Sequence, residues 1–367
     1  MWRSITMSIF AALVIRANVS LAQDSDTSTV SQTTQLVQAG PEETGPDNIP
    51  GEIEVSGFFD VVASAQASNE DETQFDLGQA EIDLARQLSN LAEIQVAVVY
   101  DNESENFELG AAFVDLELFN RRESDPATAT GFPISRLNLL LGQFDVPFGI
   151  DYHVYPSIER KLVTAPLAVD LTHGGWNDYG IQLGVESQHA NLVCYWVNGF
   201  ASSAEVLDVV QTLATGTEVY EEIDTSPANA FGSRLGIKPL GWLEIGSSVA
   251  AGWNASGKDE MVLLGADLQL ALGDFGLKGE YISHSLNRSV AKEDNRGYYL
   301  EADYRVFGDA FVVGRYGAFK PDSETWDSYG SLGAGYAIAD QVEVRCETTL
   351  NERSADNQTL FQIVAGF

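Results

Sequence analysis

Four histidines, two cysteines and a large excess of carboxylates are the raw material for chemistry in this 367-residue chain. His153, His173, His189 and His284 follow no metal-site spacing, and His284-Ser285 with the scattered aspartates makes no distinctive nucleophile–base–acid set. Cys194 and Cys346 lack zinc-type spacing and fall on strand candidates far apart in sequence order, so no structural disulfide is expected. Neither an enzyme nor a cofactor is expected from these residues. The charges that could act together lie between residues 145 and 176, where Asp151, His153, Glu159, Arg160, Lys161, Asp170 and His173 stand among Tyr152, Tyr155 and Trp176. Charges ringing a narrow opening select solutes through the field they set up. Glu159 and Asp170 are expected to face Arg160 and Lys161 across such an opening.

A constriction needs a wall around it, and the rest of the sequence reads as one. From Gly51 onward, segments of about ten residues alternate apolar with polar side chains. Sixteen are expected, at 52–64, 74–87, 90–102, 106–118, 134–144, 177–187, 190–200, 228–238, 241–254, 259–272, 274–286, 296–307, 309–319, 327–339, 341–352 and 357–367. In 341–352, Val342, Val344, Cys346, Thr348 and Leu350 share one face and Glu343, Arg345, Glu347, Thr349 and Asn351 the other. A helix would smear those charges around every side, so strand is the expectation. The connections alternate in length, except that 103–105 is a short outer loop and 119–133 a long inner one. Tight junctions such as Ser89-Asn90, Gln188-His189, Gly273-Asp274 and Gly308-Asp309 take turns with long ones such as 145–176 and 201–227. That rhythm belongs to a transmembrane antiparallel β-barrel, short turns at one end and loops at the other. Residues 201–227 carry Glu205, Glu218, Glu221, Glu222 and Asp224 without calcium-loop spacing, and are expected to be a solvated loop.

Parity then sorts the charges. The expected inward acids are Glu81, Asp83, Glu93, Asp115 and Glu117 in the first third, then Glu186, Glu244, Asp267, Glu280, Glu301 and Asp303, and finally Glu343 and Glu347. The inward bases are Arg136, Arg234, Lys278, Arg305, Arg315 and Arg345. Arg86 alone among the strand bases points outward, near a strand end where a lipid-facing charge costs about 0–1 kcal/mol. Acids thus dominate the interior, which favours cations. The whole chain holds 54 acids against 20 Lys and Arg, a formal charge of −34, which argues against nucleic acid as a partner.

The ends fit export. Arg3, the apolar stretch Ile5 to Ile15 and the small-x-small site Ser20-Leu21-Ala22 read as a signal peptide over 1–22, followed by a flexible leader over 23–50 and the barrel over 51–367. Phe367 closes the last strand on the face of Phe361, Ile363 and Ala365, and resembles the terminal aromatic that bacterial barrel-assembly machinery reads. The expected surroundings are outer-membrane lipid and lipopolysaccharide, with small hydrophilic solutes and ions inside.

Gly142-Gln143-Phe144-Asp145-Val146-Pro147-Phe148-Gly149 resembles the string that leads into the third outer loop of bacterial porins related to the phosphate-selective O/P type. Asn177-Asp178-Tyr179-Gly180-Ile181-Gln182-Leu183 is similar to the strand that follows that loop. The resemblance implies a sixteen-stranded, usually trimeric channel whose third loop, here 145–176, folds inward and narrows it. The phosphate channels depend on many inward Arg and Lys residues; this wall is mostly acidic.

Overall fold

The computed structural model describes residues 51–66, 74–101, 106–120, 134–153, 156–199, 229–253, 260–287, 292–322, 325–351 and 357–367. The proposed signal peptide and leader, the 201–227 loop and the long connection after residue 120 lie outside these described residues. Sixteen strands account for most of the rest: β1 (Glu54–Gln66), β2 (Gln74–Ser89), β3 (Ala92–Asp101), β4 (Asn106–Asn120), β5 (Ile134–Asp145), β6 (Asn177–Ser187), β7 (Ala190–Val197) and β8 (Asn229–Leu240) form the first half. The second half is β9 (Leu243–Trp253), β10 (Glu260–Leu272), β11 (Phe275–Asn287), β12 (Lys292–Phe307), β13 (Ala310–Lys320), β14 (Asp327–Ala339), β15 (Val342–Asn351) and β16 (Gln358–Gly366).

Each strand pairs antiparallel with its sequence neighbours, and β1 pairs with β16, so the sheet closes into a barrel. Closure leaves no row of unpaired amides and carbonyls, which is the condition for a sheet to stand in hydrocarbon. The seam is finished by the terminal residue, whose N–H and C=O exchange hydrogen bonds with Gly57 at 2.9 and 3.1 Å. Strand bounds fall within a few residues of those expected from alternation. The largest difference is β12, which begins at Lys292 rather than 296. Its polar start lacks alternation, yet the ladder with β11 continues, and Ser285 donates to Asp294 at 2.6 Å.

The outward face is apolar and exposed. Val61, Ile82, Leu84, Ile245, Val249, Leu264, Leu300, Val312 and Ile363 all lie on it. Aromatic groups gather toward its rims. At the loop end Trp196 stacks on Phe231 and Phe231 on Trp253, with centroids 5.4 and 5.7 Å apart, while Tyr298 meets Trp326 at 5.6 Å. Tyr336 and Phe367 are exposed at the turn end. Such girdles suit rings with one wet and one greasy side. Cys194 and Cys346 are both free thiols.

Segment 145–176 links β5 to β6. It contains a short 3-10 turn, Asp151–His153, and one helical turn, α1 (Leu167–Asp170). Its buried apolar residues Val146, Phe148, Ala168, Val169, Leu171 and Trp176 form one cluster with wall residues of β5 and β7–β13, among them Tyr195, Val197, Ala230, Ala250, Leu263, Ile282 and Phe319. A second, smaller cluster joins Leu162 to Phe311 and Val313.

Candidate functional site

Two glycines of the 142–149 string explain how the segment leaves the wall. Gly142 has φ +141, and a Cβ there would lie 2.1 Å from the Ala112 carbonyl oxygen of β4. Gly149 has φ +64, in the left-handed region, and a Cβ there would lie 1.8 Å from Glu280 Oε1. Only glycine fits either place. Between them Val146 N–H donates to the Trp176 carbonyl at 2.8 Å, tying the two ends of the segment together.

From there the segment touches the polar face of strand after strand. The Gly149 N–H donates to Ser248 of β9 at 3.0 Å. Tyr299 of β12 donates its hydroxyl proton to Asp151 Oδ2, and Lys278 of β11 lies 3.4 Å from Asp151 Oδ1. The Ser157 hydroxyl donates to Asp60 of β1 at 2.8 Å and the Ser157 N–H to Gln79 of β2 at 2.6 Å, while Arg345 of β15 donates to the Ser157 and Ile158 carbonyls. Asp60 also accepts from Gln362 of β16 at 2.6 Å. Thr164 donates N–H and hydroxyl to the two oxygens of Glu347 on β15, each at 2.8 Å, and accepts from Arg315 of β13. Near the return, Trp176 donates its indole N–H to the Gly199 carbonyl at 2.9 Å.

These contacts divide the residues singled out from sequence. Asp151 and His173 are buried against the wall. His173 Nε2 lies 3.9 Å from Glu280 Oε1, and its ring meets Phe148 edge-on at 4.7 Å. Burial holds the His173 imidazole down at about 4, with Asp151 pulling the other way and His284 adding to the depression. Glu159, Arg160, Lys161 and Asp170 are half-buried. The Lys161 ammonium sits 4.5 Å above the Phe311 ring and is close enough to Glu159 to favour its charged form, although burial pushes the Glu159 carboxyl up overall. The His153 side chain lies outside the described residues.

The wall charges divide as well. Arg234, Glu280, Glu301, Arg315, Arg345 and Glu347 are buried. A run of alternating sign links Asp151, Lys278, Glu301, Arg315 and Glu347 through contacts of 3.4, 3.7, 3.6 and 3.5 Å. Lys278 and Glu301 stand opposite each other in the ladder, as do Glu301 and Arg315, so register alone places them. Arg234 pairs with Glu244 at 3.2 Å and with Asp267 at 2.8 Å. Arg345 also binds Glu343. By contrast Glu81, Asp83, Glu93, Asp115 and Glu117 are only half-buried, and Arg136 reaches the last two, at 3.5 and 3.3 Å, and the exposed Glu186 at 3.8 Å. Asp303 is half-buried and Arg305 exposed.

Sequence parity missed the anchors. Asp60 sits in the apolar run Phe58 to Val62, where a lone inward acid was a usable signal. Ser157, Thr164 and Tyr299 carried none, because serine and threonine in a loop and an inward tyrosine are ordinary. Among the described residues no cluster of three possible metal ligands occurs, and no helix is long and apolar enough to cross a membrane.

No family model matches the sequence, and no curated protein matches it. Solved structures do. An anion-selective porin from Comamonas acidovorans aligns with 86% of this chain and 100% of its own at 13% identity and a TM-score of 0.61. The chain has the porin fold. OmpF of Salmonella typhi, solved with daunomycin, aligns over 87% of this chain and 98% of its own at 10% identity and a TM-score of 0.59. OmpT of Vibrio cholerae, in a trimer form, aligns over 87% and 100% at 9% identity and a TM-score of 0.59. At such identities the likeness is one of fold.

Proposed function

We propose that the chain is an outer-membrane porin, a water-filled barrel that passes small hydrophilic solutes and ions by passive diffusion and prefers cations. The observation that carries this reading is the combination of a closed sixteen-stranded wall, apolar outside, with a segment bonded to the inner, polar faces of β1, β2, β9, β12, β13 and β15. A barrel of about sixteen strands encloses an aqueous bore. Segment 145–176 reaches strands on opposite sides of that bore and so narrows it.

The preference for cations rests on the half-buried carboxylates of β2–β4, against which the described part of β2–β5 sets one inward base, Arg136. Fixed charge of one sign in a narrow passage raises the local concentration of the opposite ion. Anion selectivity belongs to the Comamonas protein and is not carried over. Export through residues 1–22, recognition of Phe367 by the assembly machinery, a surround of lipid and lipopolysaccharide and a homotrimeric state complete the reading; the trimer is supported by the resemblance and by the trimer form of the Vibrio structure.

Swelling of liposomes holding the folded protein tests it. Sugars of rising size should enter at falling rates, with a sharp limit. Folded barrel that admits no sugar and no salt would overturn the proposal.

A further inference from the structure

Glu280 does not fit either group of wall charges. Its side chain has no exposed surface, so it borders no passage. It takes no part in the ion-pair run from Lys278 to Glu347; besides His173, its neighbours in segment 145–176 are the Ile150 N–H and the Asp151 carboxyl. Directly opposite it in the ladder stands another acid, Asp267. Burying a carboxyl group in this way is costly, and an apolar side chain of similar volume would fill the space without that cost. What the position offers is contact with both ends of segment 145–176 at once. The Oε1 atom stands where a Cβ of residue 149 would be, at 1.8 Å, and 3.9 Å from Nε2 of His173. The first residues after β5 and the last turn before β6 therefore close on one carboxyl group from two sides.

Resting on the channel reading above, we propose that Glu280 is the positioning residue of the constriction: wedged between Gly149 and His173, it fixes where the segment stands in the bore and thereby sets the width of the passage without lining it. Gly149 is the matching half of this device. Its left-handed φ turns the chain toward the wall, and its missing side chain lets the carboxyl group in. The remaining anchors at Ser157 and Thr164 hold the far part of the segment, so release of the wedge shifts its two ends rather than freeing it altogether.

The test is unitary conductance and open-channel noise of the full-length protein in planar bilayers, with heat-modifiable mobility and circular dichroism confirming the fold of each variant. Glu280→Ala should change conductance by about 1.5-fold or more and raise the noise, with the reversal potential in a salt gradient unmoved, because the lost group is not at the passage. Glu280→Gln, which keeps the wedge, should restore conductance toward the wild-type level. Gly149→Ala should also alter conductance, and adding Glu280→Ala should relieve part of that effect, since the clash needs both partners. Wild-type protein that does not conduct removes the channel reading itself. Conducting wild type with an unchanged Glu280→Ala variant overturns the wedge alone, as does a Glu280→Ala variant whose reversal potential shifts along with its conductance.

Discussion

The inner faces of β2–β4 and of β11–β15 carry the same kinds of residue and use them differently. On β11–β15 the acids Glu301 and Glu347 are buried, each set between bases or loop donors, and their contacts run through Thr164 and Asp151 into segment 145–176. On β2–β4 the acids Glu81, Asp83 and Glu93 are half-buried, while Arg136 engages Asp115 and Glu117. An inward acid is thus a structural tie where the segment leans and part of the polar lining of the bore where it does not. Position along the barrel, not residue type, decides the role.

The comparison breaks first on stability. Glu347→Ala strands the Thr164 N–H and removes one of two acidic partners of Arg315, so a loss of about 3–5 kcal/mol is expected in the stability of the folded barrel from urea unfolding. Glu93→Ala, on the other side, should cost less than about 1 kcal/mol. Equal losses would erase the distinction.

A pH titration sharpens it. With its folded value held near 4 by burial and an ordinary value of 6.5, His173 stays neutral in the fold while the unfolded chain takes up a proton. Its contribution is therefore intact above about pH 6.5 and falls away as pH drops toward 4, by up to about 3 kcal/mol. His173→Gln should flatten that part of the stability profile. A variant with an unchanged acid slope would show that burial of the segment is not what the slope reports.

Asp60→Ala comes next. Its carboxylate accepts from the Ser157 hydroxyl, the Gln79 N–H and the Gln362 amide, and losing these charge-assisted bonds should cost about 2 kcal/mol. The same replacement should make the bond after Ser157 more open to proteolysis in the folded protein. If neither changes, the β1–β16 seam is not an anchor.

Much of the wall could be read from alternation, because period two with lipid on one side and water on the other leaves little choice of register. β6 and β14 coincide with their expected bounds, and the turns at 188–189, 273–274 and 308–309 stand where tight junctions were expected. The seat of the segment was legible in part and went unread. Inward positions at Tyr195, Val197, Ala230, Ala250, Leu263 and Ile282 are apolar, against the polar-inside rule, and that breach marks where something packs within the barrel. The ties themselves were not legible. Glu347 and Glu93 look alike in sequence, and only the path of residues 146–175, set by contacts over a hundred or more positions away, separates a buried tie from a half-buried acid of the wall.

The smallest expected effect in energy bears most directly on the central claim, that ions travel along the acidic face of β2–β4. Reversal potentials should be measured in a potassium chloride gradient for wild type and for the combined variant Glu81→Gln, Asp83→Asn, Glu93→Gln, Asp115→Asn. Wild type should prefer potassium, and the variant should lose about half or more of that preference while conducting through the same barrel. Chloride preference in the wild type, or an unchanged potential in the variant, would contradict the account.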